Sequence, residues 1–312
     1  MFRTLTLLCL ATFGAAVPVE EAKKESSQIG DVQILNYALT LEFLERAFYV
    51  DGLKNYTAND FAQAGFGRDV YDKLVRVRDD EKAHVKFLSG ALGSKAIAEP
   101  KFSFPYSNPH DFVGLASVLE GVGVAAYLGA AASITNKEYL SAAGSILTVE
   151  ARHSSYLRSI LGEEPTPTPY DTSLDFNQVF SLAAAFTTFP PGTKLPFKAF
   201  PTLTATSSNK NGKFCPGKGS ITFKKGKEPY NGKGKVYAVL YSGQQTYYVP
   251  AESSGSNTYT AKMPGEGYAS KDEPAPAGQV YAILSTADGK ETKASDENTI
   301  AGVAILEVAS RC

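Results

Sequence analysis

The sequence contains little cysteine, little histidine and no excess of charge of either sign. Its 312 residues include 31 basic and 32 acidic side chains, which give a formal net charge of −1. A balance this close provides no electrostatic basis for binding nucleic acid, which is therefore not expected as a partner. The apolar fraction of 43% is typical of a folded globular protein, and the length is sufficient for two domains.

Long apolar runs are also missing after the N-terminal segment, and the C-terminal AILEVASRC lacks a GPI-type tail. The N-terminal run follows Arg3, is too short to span a bilayer and ends in small residues. This pattern predicts a signal peptide over residues 1–16, with a buried N-terminal helix as the alternative. Residues 17–28 are polar, and we expect them to be flexible. The expected protein is secreted, extracellular or in the cell wall, without a membrane span.

Cysteine is limited to three residues. Cys9 would leave with the signal peptide, so the mature chain would keep Cys215 and Cys312. An oxidising compartment favours a disulfide between these two, whereas free thiols or an intermolecular bond are the alternatives. Export would also make Asn55, in the sequon Asn55-Tyr56-Thr57, a candidate for N-glycosylation.

Helical periodicity dominates residues 29–190. Four long helical segments are expected as two hairpins, because the connection between the hairpins contains Pro100, Pro105 and Pro109, which no helix can cross. Asp175 is a suitable cap for a short fifth helix. Two helical hairpins joined by such a crossover predict a four-helix bundle.

The sequence pattern changes near residue 195. Seven short segments rich in β-branched and aromatic residues alternate with turns, one of them at Asp288-Gly289. They predict an immunoglobulin-like β-sandwich over residues 195–312, although strand number alone does not determine the topology. The expected fold class is therefore α+β and multidomain, with a helical bundle followed by a sandwich.

Two of the three histidines occur in the same local pattern. Each lies three residues after a glutamate in a helical segment, so the two side chains share one face of the helix. The preceding helix in each half carries a single glutamate of its own. The pattern thus occurs twice, with Glu42, Glu81 and His84 in the first half and Glu120, Glu150 and His153 in the second.

Four carboxylates and two imidazoles that converge on a bundle axis are the ligand set of a dinuclear iron or manganese site. Carboxylates are hard oxygen donors that offset the charge of two cations, and imidazole suits iron. Without a metal, four anions in a dry interior would be costly, and their pKa values would have to rise. The alternative is that these residues are exposed charges on ordinary helices.

A tyrosine follows each of the single glutamates by seven residues, Tyr49 in the first half and Tyr127 in the second. Seven residues are two helical turns, so each tyrosine lies about 10 Å along the same face as its glutamate. Glu45 has no such counterpart, because the matching position is Gly123, and we therefore favour Glu42 as the ligand. The tyrosines either bond to the glutamates, act as redox-active phenols or fill the core.

The segments LNYALTLEFLERAFY, DDEKAHVKFL, LEGVGVAAYLGA and VEARHSSYL resemble the ferritin-like superfamily. They are most similar to secreted fungal ferritin-like-domain proteins often described as stress-response or late-sexual-development proteins, in which a β segment is a frequent companion. The resemblance covers about residues 29–190 and implies di-metal ligation by the six residues, with Glu81 and Glu150 as bridges. It also implies that Asp80 orients His153, whereas a solvent-facing Asp80 is the alternative.

Two functions remain open. In the first, two Fe ions, with Mn or Zn as alternative metals, support ferroxidase or other oxidase-type chemistry with O2 or peroxide. In the second, a non-enzymatic extracellular or cell-wall stress or development protein binds metal for stability or sequestration. Its β-domain would then contact a cell-wall glycan or a protein partner, although fold alone does not imply function.

Overall fold

A computed structural model describes residues 29–312 with gaps at 211, 228–229, 231, 233, 256 and 310–311. The predicted signal peptide over residues 1–16 and the polar segment over residues 17–28 lie outside the described residues. Over the described ranges the chain forms six α-helices and then a large antiparallel sheet. The fold class is therefore α+β, as predicted.

The helices form two antiparallel pairs. In chain order they are α1 (Asp31–Asn55), α2 (Ala58–Gln63), α3 (Val70–Leu92), α4 (Pro109–Ala130), α5 (Lys137–Ile160) and α6 (Phe176–Ala184). The long helix α1 packs on α3, α4 packs on α5, and α1 also contacts α4. The short helix α2 was not predicted. It begins with a capping box in which Thr57 and Asp60 each satisfy the backbone N–H of the other.

The outer helices α3 and α5 bury one stripe of side chains each, spaced three and four residues apart. Glutamate and histidine occupy positions in these stripes that apolar residues would otherwise take. The buried residues of α3 are Val70, Leu74, Val77, Glu81, Val85, Leu88 and Leu92. Those of α5 are Ile146, Glu150, His153, Leu157 and Arg158.

The inner helix α4 is apolar on most of its surface. With the turn that follows it, Pro109–Ser133, it has the length and composition of a membrane span. However, 67% of its most apolar stretch is buried inside the protein, and Glu120 lies near its middle. A buried core helix has these same properties.

Seven of the nine described strands form one sheet. The strands are β1 (Lys101–Phe102), β2 (Thr187–Thr188), β3 (Leu203–Ser207), β4 (Ser220–Lys225), β5 (Val236–Ser242), β6 (Gln245–Gly255), β7 (Thr258–Lys262), β8 (Gly278–Ser285) and β9 (Thr299–Val308). Strands β3 to β9 are hydrogen-bonded in the order β3-β4-β7-β6-β5-β8-β9, and the two outer strands contact each other. The sheet therefore nearly closes into a barrel.

The predicted immunoglobulin-like sandwich of two packed sheets is not confirmed by this topology. Short strands with alternating burial are common to sandwiches and barrels, so the sequence pattern cannot separate them. The separate pair β1–β2 was also not predicted. It joins the proline-rich connection before α4 to the segment after α6.

The predicted disulfide between Cys215 and Cys312 is confirmed, with Cα atoms 5.9 Å apart. Cys215 is buried just before β4, and Cys312 follows the last strand. The bond therefore closes a loop that contains nearly the whole sheet. This is the redox state that an oxidising compartment favours.

The sheet packs directly against the helical domain through β8. Tyr281 donates a hydrogen bond from its Oη to the carbonyl oxygen of Gly121 in α4, at 2.7 Å. Gln279 donates from Nε2 to the carbonyl oxygen of Val118, at 3.0 Å. Tyr281 is also part of the same buried apolar cluster as the helical core. The two parts of the chain thus share one interior.

A partly buried ion pair joins the same two parts. Arg158, at the end of α5, donates two hydrogen bonds to the carboxylate of Glu307 in β9, at 2.7 and 2.9 Å. Such bidentate pairs are among the stronger and more directional polar contacts in proteins. The segment between the domains also remains in the helical core, because Phe197 packs on Tyr37 and Phe176.

Candidate metal centre

The structure brings all six side chains of the repeated motif together inside the helical domain. The four glutamates have no exposed surface, and the histidine side chains are only 8% and 11% exposed. They come from four helices: Glu42 from α1, Glu81 and His84 from α3, Glu120 from α4, and Glu150 and His153 from α5. We call these six residues the cluster.

The cluster divides into two overlapping groups of four. Within each group, ligand atoms from all four residues lie within 4.8 Å of one another. The first group is Glu42, Glu81, His84 and Glu150, and the second is Glu81, Glu120, Glu150 and His153. Because Glu81 and Glu150 occur in both, each group has two residues of its own and two shared carboxylates.

Glu81 faces both histidines. Its Oε2 lies 3.1 Å from Nδ1 of His84, and its Oε1 lies 3.2 Å from Nδ1 of His153. Glu150 places its Oε1 3.3 Å from Nδ1 of His84. A carboxylate with one oxygen on each side is the arrangement needed to bridge two cations.

Two tyrosines orient the carboxylates that are not shared. Tyr127 donates a hydrogen bond to Oε1 of Glu42, and Tyr49 donates one to Oε1 of Glu120. The second oxygen of each carboxylate then lies 3.2 or 3.1 Å from a histidine Nδ1. Each tyrosine thus bonds to the glutamate of the other helix rather than to its own, because α1 and α4 run side by side in opposite directions.

Asp80 orients one of the two histidines. Its Oδ2 lies 3.2 Å from Nε2 of His153, which leaves Nδ1 of that ring directed at the cluster. Asp80 itself is about half exposed, at 54% of its side chain. In α5 the matching position is Val149, and no described residue hydrogen-bonds Nε2 of His84. The two halves therefore differ in how the imidazole is supported.

The charges of the cluster are strongly perturbed by burial. Burial raises the pKa of Glu42 to about 8 and that of Glu150 well above its usual value. Burial also acts on Glu81, but hydrogen bonds from the two imidazoles outweigh it and lower the pKa of Glu81 to about 2. Burial alone would lower the pKa of His153, yet its hydrogen bonds to two glutamates raise that pKa to about 11. The site therefore favours positive charge among the carboxylates.

Several carboxylate oxygens of the cluster are buried and have either no donor among the described residues or only an imidazole nitrogen at 3.2–3.3 Å. They are Oε2 of Glu42, Oε1 of Glu81 and both oxygens of Glu150. A buried unpaired oxygen of this kind is costly, and a hard divalent cation would satisfy it. Four carboxylates and two imidazoles with these open acceptors fit a pair of iron or manganese ions.

Glu45 is a further buried carboxylate of α1, three residues after Glu42 and not among the predicted ligands. It is only 2% exposed, and burial, followed by the charge of Glu150, raises its pKa well above the usual value. A Cβ atom on Gly123 would lie 2.9 Å from Oε1 of Glu45 and 3.0 Å from Oε2 of Glu150. Glu45 therefore lies beside the cluster, and the three-residue spacing from Glu42 was the signal for it.

Asn55 lies at the end of α1 and is exposed. Its Nδ2 donates a hydrogen bond to the hydroxyl of Tyr106 at 3.1 Å. Thr57 of the same sequon caps α2. Glycosylation at this position stays a prediction.

The metal-free protein is expected to lose stability as the pH rises from about 5 to 8. The folded-state pKa of Glu42 is above its unfolded value of 4.5, so the folded state holds the proton more tightly in this window, and removing it destabilises the fold. The raised pKa of His153 acts in the same direction above pH 6.5. The combined loss should be on the order of 5 kcal/mol.

Metal binding should reverse this trend, because a metal ion requires deprotonated carboxylates. Differential scanning calorimetry with Mn(II) or with EDTA should show a metal-dependent increase in Tm that is larger at pH 8 than at pH 5. The variant Glu42→Gln should flatten the pH dependence of the metal-free protein. An increase in Tm that becomes smaller with rising pH would contradict the assignment.

Comparison with known proteins agrees with this geometry. A family model described as a ferritin-like domain matches residues 30–163, which contain helices α1 to α5 and the whole cluster. The chain is also 24% identical over 239 residues to Protein rds1 of the fission yeast Schizosaccharomyces pombe. This match covers 76% of the chain and 54% of the relative, so the chain spans about half the length of that protein. Residues 30–163 therefore match a ferritin-like domain, and the chain is similar to a protein from a fungus.

Proposed function

We propose that this protein binds two iron ions in the cluster and uses them in oxidase-type chemistry with dioxygen or peroxide. The observation that carries the proposal is that two groups of ligand atoms share the carboxylates of Glu81 and Glu150. Shared carboxylates would keep two ions next to each other. Glu42 and His84 would complete the first position, and Glu120 and His153 the second.

Two iron ions at these positions would supply electrons to the same molecule of dioxygen or peroxide. The chain provides the setting for that chemistry. The tyrosines hold the outer carboxylates in one orientation, and Asp80 fixes the ring of His153. Burial of all four glutamates keeps bulk water away, which strengthens each electrostatic contact.

The proposal is tested by loading the full chain with Fe(II) without oxygen and then measuring dioxygen uptake with an electrode. We expect two iron ions per chain and uptake well above that of the same Fe(II) in buffer. Two electrons per dioxygen yield hydrogen peroxide and four yield water, so the ratio of iron oxidised to dioxygen consumed identifies the product. Tight binding of Mn or Zn without any uptake would instead support the non-enzymatic role.

A further inference from the structure

An apolar cavity of about 420 Å³ lies where the helical domain meets the sheet. It is bounded by α1, α4 and α6 on one side and by β3 and β9 on the other. This volume is within the range of sites that bind small molecules, about 300–1,000 Å³. Most of the lining is aliphatic, and it includes Leu41, Leu44, Leu119, Val122, Val303 and Ile305.

Glu45 is the ionisable residue among those that line the cavity. It is 2% exposed, and its Oε2 has no hydrogen-bond partner among the described residues. Two hydroxyls of the lining are already engaged, since Ser181 and Thr204 donate to backbone carbonyl oxygens. A buried acceptor without a partner is costly, so a ligand that brings a hydrogen-bond donor would gain from meeting Glu45.

Glu45 also borders the metal centre. Oε1 of Glu45 and Oε2 of Glu150 both lie close to Gly123 of α4. A Cβ atom on that glycine would be 2.9 Å from the first oxygen and 3.0 Å from the second. A larger residue at that position would occupy the space between the two carboxylates. The absence of a side chain on Gly123 therefore brings the inner end of the cavity next to a shared carboxylate of the cluster.

We propose that the cavity binds a small neutral organic molecule, largely apolar and with one hydroxyl group, and that Glu45 directs the hydroxyl toward the metal centre. The aliphatic lining selects the apolar body, and the single unpaired carboxyl selects the polar end. An anionic ligand is excluded, because the ionisable group that the lining offers, Glu45, is itself an acid. This assignment rests on the proposed function, because an oxidase-type metal centre needs something to oxidise. The cavity is then the site of its organic substrate.

The test uses 2-naphthol, followed by its fluorescence, and naphthalene as the matched probe without a hydroxyl. Both are titrated against the full chain in EDTA, so binding succeeds or fails independently of any oxygen chemistry. We expect 2-naphthol to bind once per chain and more tightly than naphthalene. Failure of both probes to bind would overturn the proposal even if iron oxidation is observed.

Two kinds of variant locate the probe. Ala205→Phe fills the cavity from β3 and should weaken 2-naphthol binding at least about tenfold. Thr206→Phe is the control, because this next residue of the strand is exposed, and it should bind 2-naphthol like the wild type. Ala185→Phe, at the residue that follows α6, serves as a second filling variant if Ala205→Phe does not fold. Glu45→Leu should reduce the preference for 2-naphthol over naphthalene about three- to tenfold. Equal effects of Glu45→Leu on both probes, or filling variants that bind normally, would contradict the assignment.

Discussion

Replacing Glu81 with alanine is expected to remove both metal ions from the protein. Glu81 lies 3.1 Å from the ring nitrogen of His84 and 3.2 Å from that of His153, so its loss opens both ligand groups at once. Loss of a residue that only supports a ligand lowers metal affinity about 10- to 100-fold, and loss of a shared ligand should cost more. Elemental analysis should find close to two ions per chain in the wild type and close to none in the variant.

The same substitution should remove the metal-dependent part of the stability. A ligand present at 100 times its Kd stabilises the folded state by about 2.7 kcal/mol. EDTA should therefore lower the Tm of the wild-type protein but leave that of Glu81→Ala unchanged. His153→Ala opens only the second group and should keep part of the metal.

Asp79→Ala is the matched control for Glu81→Ala. Asp79 is a carboxylate on the same helix, but it is half exposed and pairs with Arg78 and Lys82 at the surface. Exposed pairs of this kind contribute little, about 0–1 kcal/mol. Asp79→Ala should therefore bind metal like the wild type. Full metal occupancy in Glu81→Ala, with circular dichroism showing a normal fold, would rule out this residue as a shared ligand.

Loss of the disulfide is expected to destabilise the sheet by about 4–5 kcal/mol in the double variant Cys215→Ser, Cys312→Ser. The two cysteines are 97 residues apart in the sequence, and the bond between them restricts the unfolded chain over that whole length. Urea unfolding followed by far-UV circular dichroism measures the effect. The chain contains no tryptophan, so tryptophan fluorescence is not an option.

The double cysteine variant should still bind metal in the folded state, because every cluster residue lies in the helical domain. Metal content thus separates loss of the disulfide from loss of the cluster. The wild-type protein treated with dithiothreitol should behave like the variant. A difference below about 1 kcal/mol in unfolding free energy would show that the sheet holds its ends together without the bond.

The cluster could be predicted because its pattern is local. Glutamate and histidine three residues apart share a helix face, and in α3 and α5 that face proved to be the buried one. The pairing of the two cysteines was predictable for a different reason, since only two would remain if the predicted signal peptide is removed. Both inferences depended on spacing or number and not on long-range packing.

The remaining features depend on contacts between distant segments. The partners of Tyr49 and Tyr127 follow from the antiparallel packing of α1 on α4, which no spacing within one helix reveals. The single sheet depends on which strands pair, and short alternating strands fit several topologies. The burial of Glu45 likewise depends on Gly123 and on strands that are far away in the sequence.

The contacts of Tyr281 and Gln279 with α4 make the stability of the helical domain depend on the sheet. Both side chains bind backbone carbonyls of the helix that carries Glu120, within two residues of it. A fragment that ended near residue 195 would expose the apolar helix α4 to water. It would also remove the side-chain donors, Gln279 and Tyr281, from these two carbonyl oxygens. A shortened form of this protein would need a new cover for α4 to keep the cluster of the helical domain in place.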